Sequence, residues 1–132
     1  MTRPRRTPVL LGLCVLALSA CGGGSPGSGS GDQQGRAVAA QGPPTAQTVH
    51  LDGTSKLAFD PSTVTAKVGT LTIELGIKGG TPHDLEFSGT DRAKIPLVTG
   101  APLKATYTFQ KAGTYTFVCT IHQGMSGQVV VS

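Results

Sequence analysis

Residues able to bind metals or act as nucleophiles are scarce in this 132-residue chain, which has three cysteines, two methionines and three histidines. No stretch carries the three-to-four-residue apolar stripe of a helix, and no internal repeat is present. The longest apolar run, Val9 to Ala17, is too short to span a bilayer. The basic balance is confined to the N-terminus. Of 11 Lys and Arg, Arg3, Arg5 and Arg6 lie in the first segment, which leaves eight basic residues against seven acidic ones. That near-neutral remainder excludes a basic patch for nucleic acid and predicts little steering of partners by net charge.

Residues 1–20 read as a signal peptide, with Arg3, Arg5 and Arg6 as the charged region and Val9 to Ala17 as the apolar region. Its end, Leu18-Ser19-Ala20-Cys21, resembles a bacterial lipobox, in which the cysteine is lipidated and becomes the first mature residue. The bland alternative is an ordinary cleavage site with an incidental cysteine. Arg5-Arg6 also admits twin-arginine export, although Thr7-Pro8 after the pair suits it poorly. Residues 21–46, rich in Gly, Ser, Ala, Gln and Pro, lack the apolar content to fold and read as a flexible linker. A lipid on Cys21 makes that linker a leash to a membrane outside the cytoplasm.

Residues 47–132 read as one all-β domain. Val64, Ala66 and Val68 alternate with polar residues, as do Leu71, Ile73, Leu75 and Ile77. Leu103, Ala105, Tyr107 and Phe109 repeat the pattern, followed by Tyr115, Phe117 and Cys119. Turn signals at Asp60-Pro61, Gly69, Gly79-Gly80, Gly100, Gly113 and Gly124 to Gly127 separate the runs. Many short strands so spaced predict a sandwich or small barrel.

The three cysteines divide cleanly. Cys14 is lost with the signal peptide, Cys21 takes lipid, and Cys119 is left without a disulfide partner in an exported domain. An unpaired thiol there is an oxidation liability that metal ligation would remove. Cys119 opens a C-x2-H-x2-M run with His122 and Met125, and His83 stands 36 residues upstream in Thr81-Pro82-His83-Asp84. Taken singly, His83 is a satisfied or exposed histidine, Cys119 a small buried hydrophobe and Met125 a packing residue. Jointly they form a soft set of one thiolate, two imidazoles and one thioether, which suits copper in both oxidation states. Strand parity puts His83 with Leu85 and Phe87, and Cys119 with Tyr115 and Phe117, so both ligands face the core. His50, near the start of the first strand, is expected at the surface.

The segment Gly113 to Val131, with Cys119, His122 and Met125, closely resembles the last strands and ligand loop of cupredoxins. Leu57 to Gly69 and Thr81 to Phe87 resemble the family's earlier strands. The short ligand spacing is most similar to amicyanin, while plastocyanin and azurin have longer loops. The resemblance implies a Greek-key two-sheet β-sandwich holding one type 1 copper through His83, Cys119, His122 and Met125. It implies a monomeric carrier that passes single electrons to redox partners docking near His122, and no enzymatic activity. Ile121, Gly124, Met125, Pro82 and Gly80 would give the docking edge an apolar surface. This chain departs from the family in two places. Asp84 stands where Asn often follows the first histidine, which would change the charge beside the site if it braces the Cys loop, for example against Thr120. Ile121 and Gln123 flank His122 where amicyanin-like loops often carry Pro.

The main rival is an extracytoplasmic copper chaperone or storage protein. Such proteins tend to expose clusters of Met and His, whereas the mature chain would hold one Met and three His. Structural zinc prefers Cys and His to a thioether. A dinuclear copper site needs a second nearby Cys. A copper enzyme needs more histidines, and only His50 is spare.

Overall fold

The computed structural model describes residues 36–132. The expected signal peptide, Cys21 and the expected linker up to residue 35 lie outside the described residues. Ten strands follow in order: β1 (Ala37–Ala39), β2 (Gln47–Thr54), β3 (Phe59–Asp60), β4 (Thr63–Ala66), β5 (Gly69–Lys78), β6 (His83–Phe87), β7 (Ile95–Val98), β8 (Leu103–Phe109), β9 (Gly113–Val118) and β10 (Ser126–Val131). They build a six-stranded sheet, β1-β4-β10-β9-β6-β7, packed on a four-stranded sheet, β3-β2-β5-β8. The chain crosses between sheets repeatedly, as a Greek-key sandwich requires, so β2 lies parallel to β5 and β10 parallel to β4.

Period-two patterning explains these pairings, because each strand offers one apolar face to a shared core. Leu51, Leu71, Ile73 and Leu75 from one sheet meet Val64, Leu85, Phe87, Phe117 and Val129 from the other, all buried. Phe87 organises the centre, with ring centroids 4.8 Å from Tyr107, 5.7 Å from Phe109 and 5.8 Å from Phe117, all edge-on. Arg92 closes the end of the core remote from His83. Its guanidinium lies 4.6 Å from the Phe109 centroid and 5.1 Å from that of Tyr115, and it donates to the Thr108 carbonyl at 2.6 Å.

Three details differ from the sequence pattern. Ala37–Ala39 lies in the segment whose composition reads as linker, yet it pairs in parallel with Thr63–Thr65, and Gln41 bridges to Thr48. An exposed sheet edge can recruit so short a strand through backbone bonds alone, which composition does not register. Val68 and Leu103, expected inside, are exposed because β4 ends at Ala66 and Leu103 opens β8 at the rim. Asp84 is buried beside His83, against strict alternation, where the β6–β7 register shifts between His83 and Leu85.

Candidate metal centre

β6 and β9 run antiparallel with Glu86 opposite Val118 and Phe87 opposite Phe117, so the start of β6 and the end of β9 meet at one end of the sandwich. His83 is the first residue of β6, and Cys119 directly follows β9. The loop from Cys119 to Met125 is closed by two backbone bonds. The Cys119 N–H donates to the Met125 carbonyl at 3.0 Å, and the Met125 N–H to the His122 carbonyl at 3.2 Å. Gly124, at φ 80°, supplies the left-handed turn between them.

Three of the four residues singled out by sequence converge with their donor atoms. Cys119 Sγ lies 3.8 Å from His83 Nδ1 and 3.4 Å from His122 Nδ1, and the two Nδ1 atoms are 3.2 Å apart. A triangle with these sides has its centre about 2.0 Å from each corner, close to the bond lengths of about 2.0–2.3 Å that His and Cys make to a metal ion. Met125 is buried in the same loop end. It therefore lies beneath the surface and does not form part of an exposed apolar edge.

The surroundings prepare the donors for a metal. The Nε2 of His83 lies 3.1 Å from the Thr54 carbonyl, and donation there requires the tautomer that leaves Nδ1 free as an acceptor. Burial, and then the neighbouring His122, hold the His83 pKa below the ordinary histidine value, although Thr54 and Asp84 pull the other way. A neutral imidazole is the form that ligates. Without an ion, a fully buried imidazole and a buried thiol would face one another with little hydrogen bonding to compensate. The donor set thus fits a soft metal, and one thiolate with two imidazoles and a nearby thioether fits copper.

Asp84 braces the Cys loop. Its Oδ1 accepts the Thr120 N–H at 2.6 Å, its Oδ2 accepts the Thr120 hydroxyl, and Lys94 Nζ approaches Oδ2 to 3.0 Å. Burial works against this charge, but the Thr120 donors and Lys94 outweigh it and leave the Asp84 pKa below the usual carboxylate value.

Two contributors left no signal in the sequence. Gly53 on β2 faces the His83 ring so closely that a Cβ there would overlap it. Lys94 reaches Asp84 across the β6–β7 turn. His50 stays apart, half-exposed, with its ring nitrogens 3.1 Å from Asp52 and 3.3 Å from Glu74, whose other oxygen pairs with Lys104 at 2.6 Å.

Comparison with known proteins supports the same conclusion. The family model of the cupredoxin-like domain matches residues 32–131. Plastocyanin of Vicia faba is 38% identical over 89 residues, covering 58% of this chain and 89% of plastocyanin. Auracyanin A, a "blue" copper protein of Chloroflexus aurantiacus, superposes with TM-score 0.55 at 22% identity, over 66% of this chain and 99% of its own. A variant of amicyanin in its oxidised state gives TM-score 0.52 at 28% identity, over 64% of this chain and 82% of its own. With its two sheets, its converging Cys and His donors and a family match over most of its length, the chain belongs to the cupredoxin-like domain family.

Proposed function

We propose that this protein is an electron carrier with one type 1 copper ion held by His83, Cys119, His122 and Met125. The observation that carries the reading is the triangle of one sulfur and two Nδ1 atoms around a single point, reached from two strand ends and one short loop. Copper bound there supplies a one-electron couple between its cupric and cuprous states. The residues do the rest. Cys119, as thiolate, would bond the ion covalently, and His83 would hold it from the buried side. Met125, buried at the same loop end, would supply the thioether that tunes the potential. His122, half-buried, is the edge through which a partner's electron passes, framed by exposed Ile121 and Gly124. The ligand loop is tied at both ends by backbone bonds and braced by Asp84, so the donors need move little between oxidation states.

The same proposal includes export and anchoring. Residues 1–20 are removed, a lipid on Cys21 holds the protein at a membrane outside the cytoplasm, and the linker lets the monomeric domain reach its redox partners.

The test is copper loading of the purified protein. An intense visible thiolate-to-copper band is expected. Cys119→Ser abolishes that band, while Met125→Leu keeps it and raises the potential. A Ser variant that stayed blue, or a wild-type protein that took up only colourless cuprous copper, would overturn the assignment. The second result would favour copper handling over electron transfer.

A further inference from the structure

We propose that Lys94 is a positioning residue for the metal centre: its ammonium offsets the Asp84 carboxylate beside the site and so sets the charge that the ion experiences. The proposal rests on the reading of the site as a copper centre.

Lys94 immediately precedes β7, the edge strand that pairs with β6. Its Nζ lies 3.0 Å from Asp84 Oδ2, 3.2 Å from Thr120 Oγ1 and 3.4 Å from Glu86 Oε2. Two of these acceptors sit one residue away from proposed ligands, Asp84 after His83 and Thr120 after Cys119. The Asp84 side chain is only 4% exposed, whereas that of Lys94 is 42% exposed. The pair therefore runs from the ligand shell to solvent, with its acid end inside. A buried carboxylate needs a partner for its charge, and the two bonds from Thr120 orient the carboxylate without neutralising it. Among the described residues, Lys94 is the basic side chain paired with Asp84. Glu86, 44% exposed, competes from the solvent side, where water screens it.

The sign follows from electrostatics. Negative charge near copper favours the cupric over the cuprous ion and lowers the potential, and positive charge raises it. With Asp84 and Lys94 both present, the two effects oppose. Removing Lys94 alone exposes the metal to the carboxylate. Replacing the Asp84 carboxylate by an amide leaves the ammonium opposed only by the solvent-screened Glu86. Removing both charges restores a nearly neutral surrounding.

The experiment is voltammetry of the copper-loaded full chain and five variants, with the visible spectrum recorded for each. Lys94→Gln is expected to lower the potential by an amount equivalent to about a tenfold change in the cupric-to-cuprous equilibrium, which is 59 mV for one electron. Asp84→Asn raises it, the Asp84→Asn/Lys94→Gln double variant returns close to the parent, and Lys94→Arg stays with the parent. Glu86→Gln moves it least. A Lys94→Gln potential equal to that of the parent overturns the proposal, as does a double variant as low as Lys94→Gln or as high as Asp84→Asn.

A second readout needs no metal. In the copper-free protein, amide exchange at Thr120, whose N–H donates to Asp84, is expected to accelerate severalfold in Lys94→Gln, but not to accelerate further when Lys94→Gln is added to Asp84→Asn. If the wild-type chain forms no blue centre, the copper reading fails, and the exchange cycle still decides the pairing. Equal acceleration by Lys94→Gln in both backgrounds would show that Lys94 does not act through Asp84.

Discussion

Gly53→Ala is the sharpest probe of how the fold makes room for the His83 ring. Gly53 lies on the core face of β2, paired with Ile77 of β5 on one side and Phe59 of β3 on the other, so its backbone cannot shift without breaking two ladders. A Cβ at this position would come within 2.8 Å of the His83 Cβ and closer still to the ring. The ring has no retreat. It is fully buried, its Nε2 is held by the Thr54 carbonyl, and the His122 ring stands with its centroid 4.8 Å away. Overpacking of this kind costs about 1–3 kcal/mol. Replacing a strand glycine by alanine returns about 0.5–1 kcal/mol of backbone entropy. The net expectation is a loss of about 1–2 kcal/mol, or a drop in Tm of roughly 5–15 °C for a domain of this size.

Gly76→Ala is the matched control. Gly76 sits opposite Asp52, one register step from Gly53, and its Cβ would meet Asp52 Oδ1 at 2.8 Å and His50 Cε1 at 3.1 Å. Both are ends of part-exposed side chains that can swing aside, so this variant should match the parent or gain slightly. Thermal and urea unfolding of the metal-free protein give the energies, and the spectrum after copper loading reports whether His83 has tilted. A Gly53→Ala protein as stable as the Gly76→Ala control, with an unaltered visible band, would falsify the claim that this glycine makes the space for His83.

Two further outcomes are expected. The Tyr107 hydroxyl is buried without a hydrogen-bond partner among the described residues, and burial pushes its pKa up to about 12. The neutral phenol is thus favoured by the fold. That contribution is complete below pH 10, is lost as pH rises from about 10 to 12, and amounts to about 2–3 kcal/mol. Tyr107→Phe should remove this alkaline loss and leave neutral-pH stability unchanged or higher by about 1 kcal/mol. Urea unfolding at several alkaline pH values checks it, and a variant that keeps the parent's decline would refute it. For the anchor, Cys21→Ala should move the protein from the membrane to the soluble fraction, since durable attachment needs acyl chains contributing about 0.8 kcal/mol per buried methylene. Continued membrane association would remove the lipid claim.

The sandwich was legible because its strands bury one face each, so Leu71, Ile73 and Leu75, or Phe117 and Cys119, announce themselves at every second residue. The candidate donor set was legible because three of its four members fall within seven residues and carry unusual chemistry. What stayed hidden depends on contacts across the fold. A glycine in a strand does not say which side chain it faces, so nothing in Asp52-Gly53-Thr54 points to His83, 30 residues away. Lys94 reads as one more surface lysine until the β6–β7 pairing brings it to Asp84. Asp84 itself was flagged by resemblance, but its burial follows from an irregular register that alternation cannot foresee. β1 escaped because Ala-Val-Ala pairs through its backbone.

These hidden contacts divide the work at the site end between two kinds of constraint. Gly53 and the Thr54 carbonyl act by shape: they fix the His83 ring and its tautomer from the four-stranded sheet, across the sandwich from the strand that carries it. Asp84, Thr120 and Lys94 act by charge within the six-stranded sheet and its loops. The first set should govern whether the donor triangle forms at all, and therefore the colour of the loaded protein. The second should govern how strongly that triangle prefers one oxidation state. Because the two sets share no side chain, Gly53→Ala and Lys94→Gln should act almost independently, with the spectral change following the glycine and the potential following the lysine. A double variant measured by spectrum and voltammetry tests that separation. Mutual cancellation of their effects would mean that shape and charge at this site are one constraint.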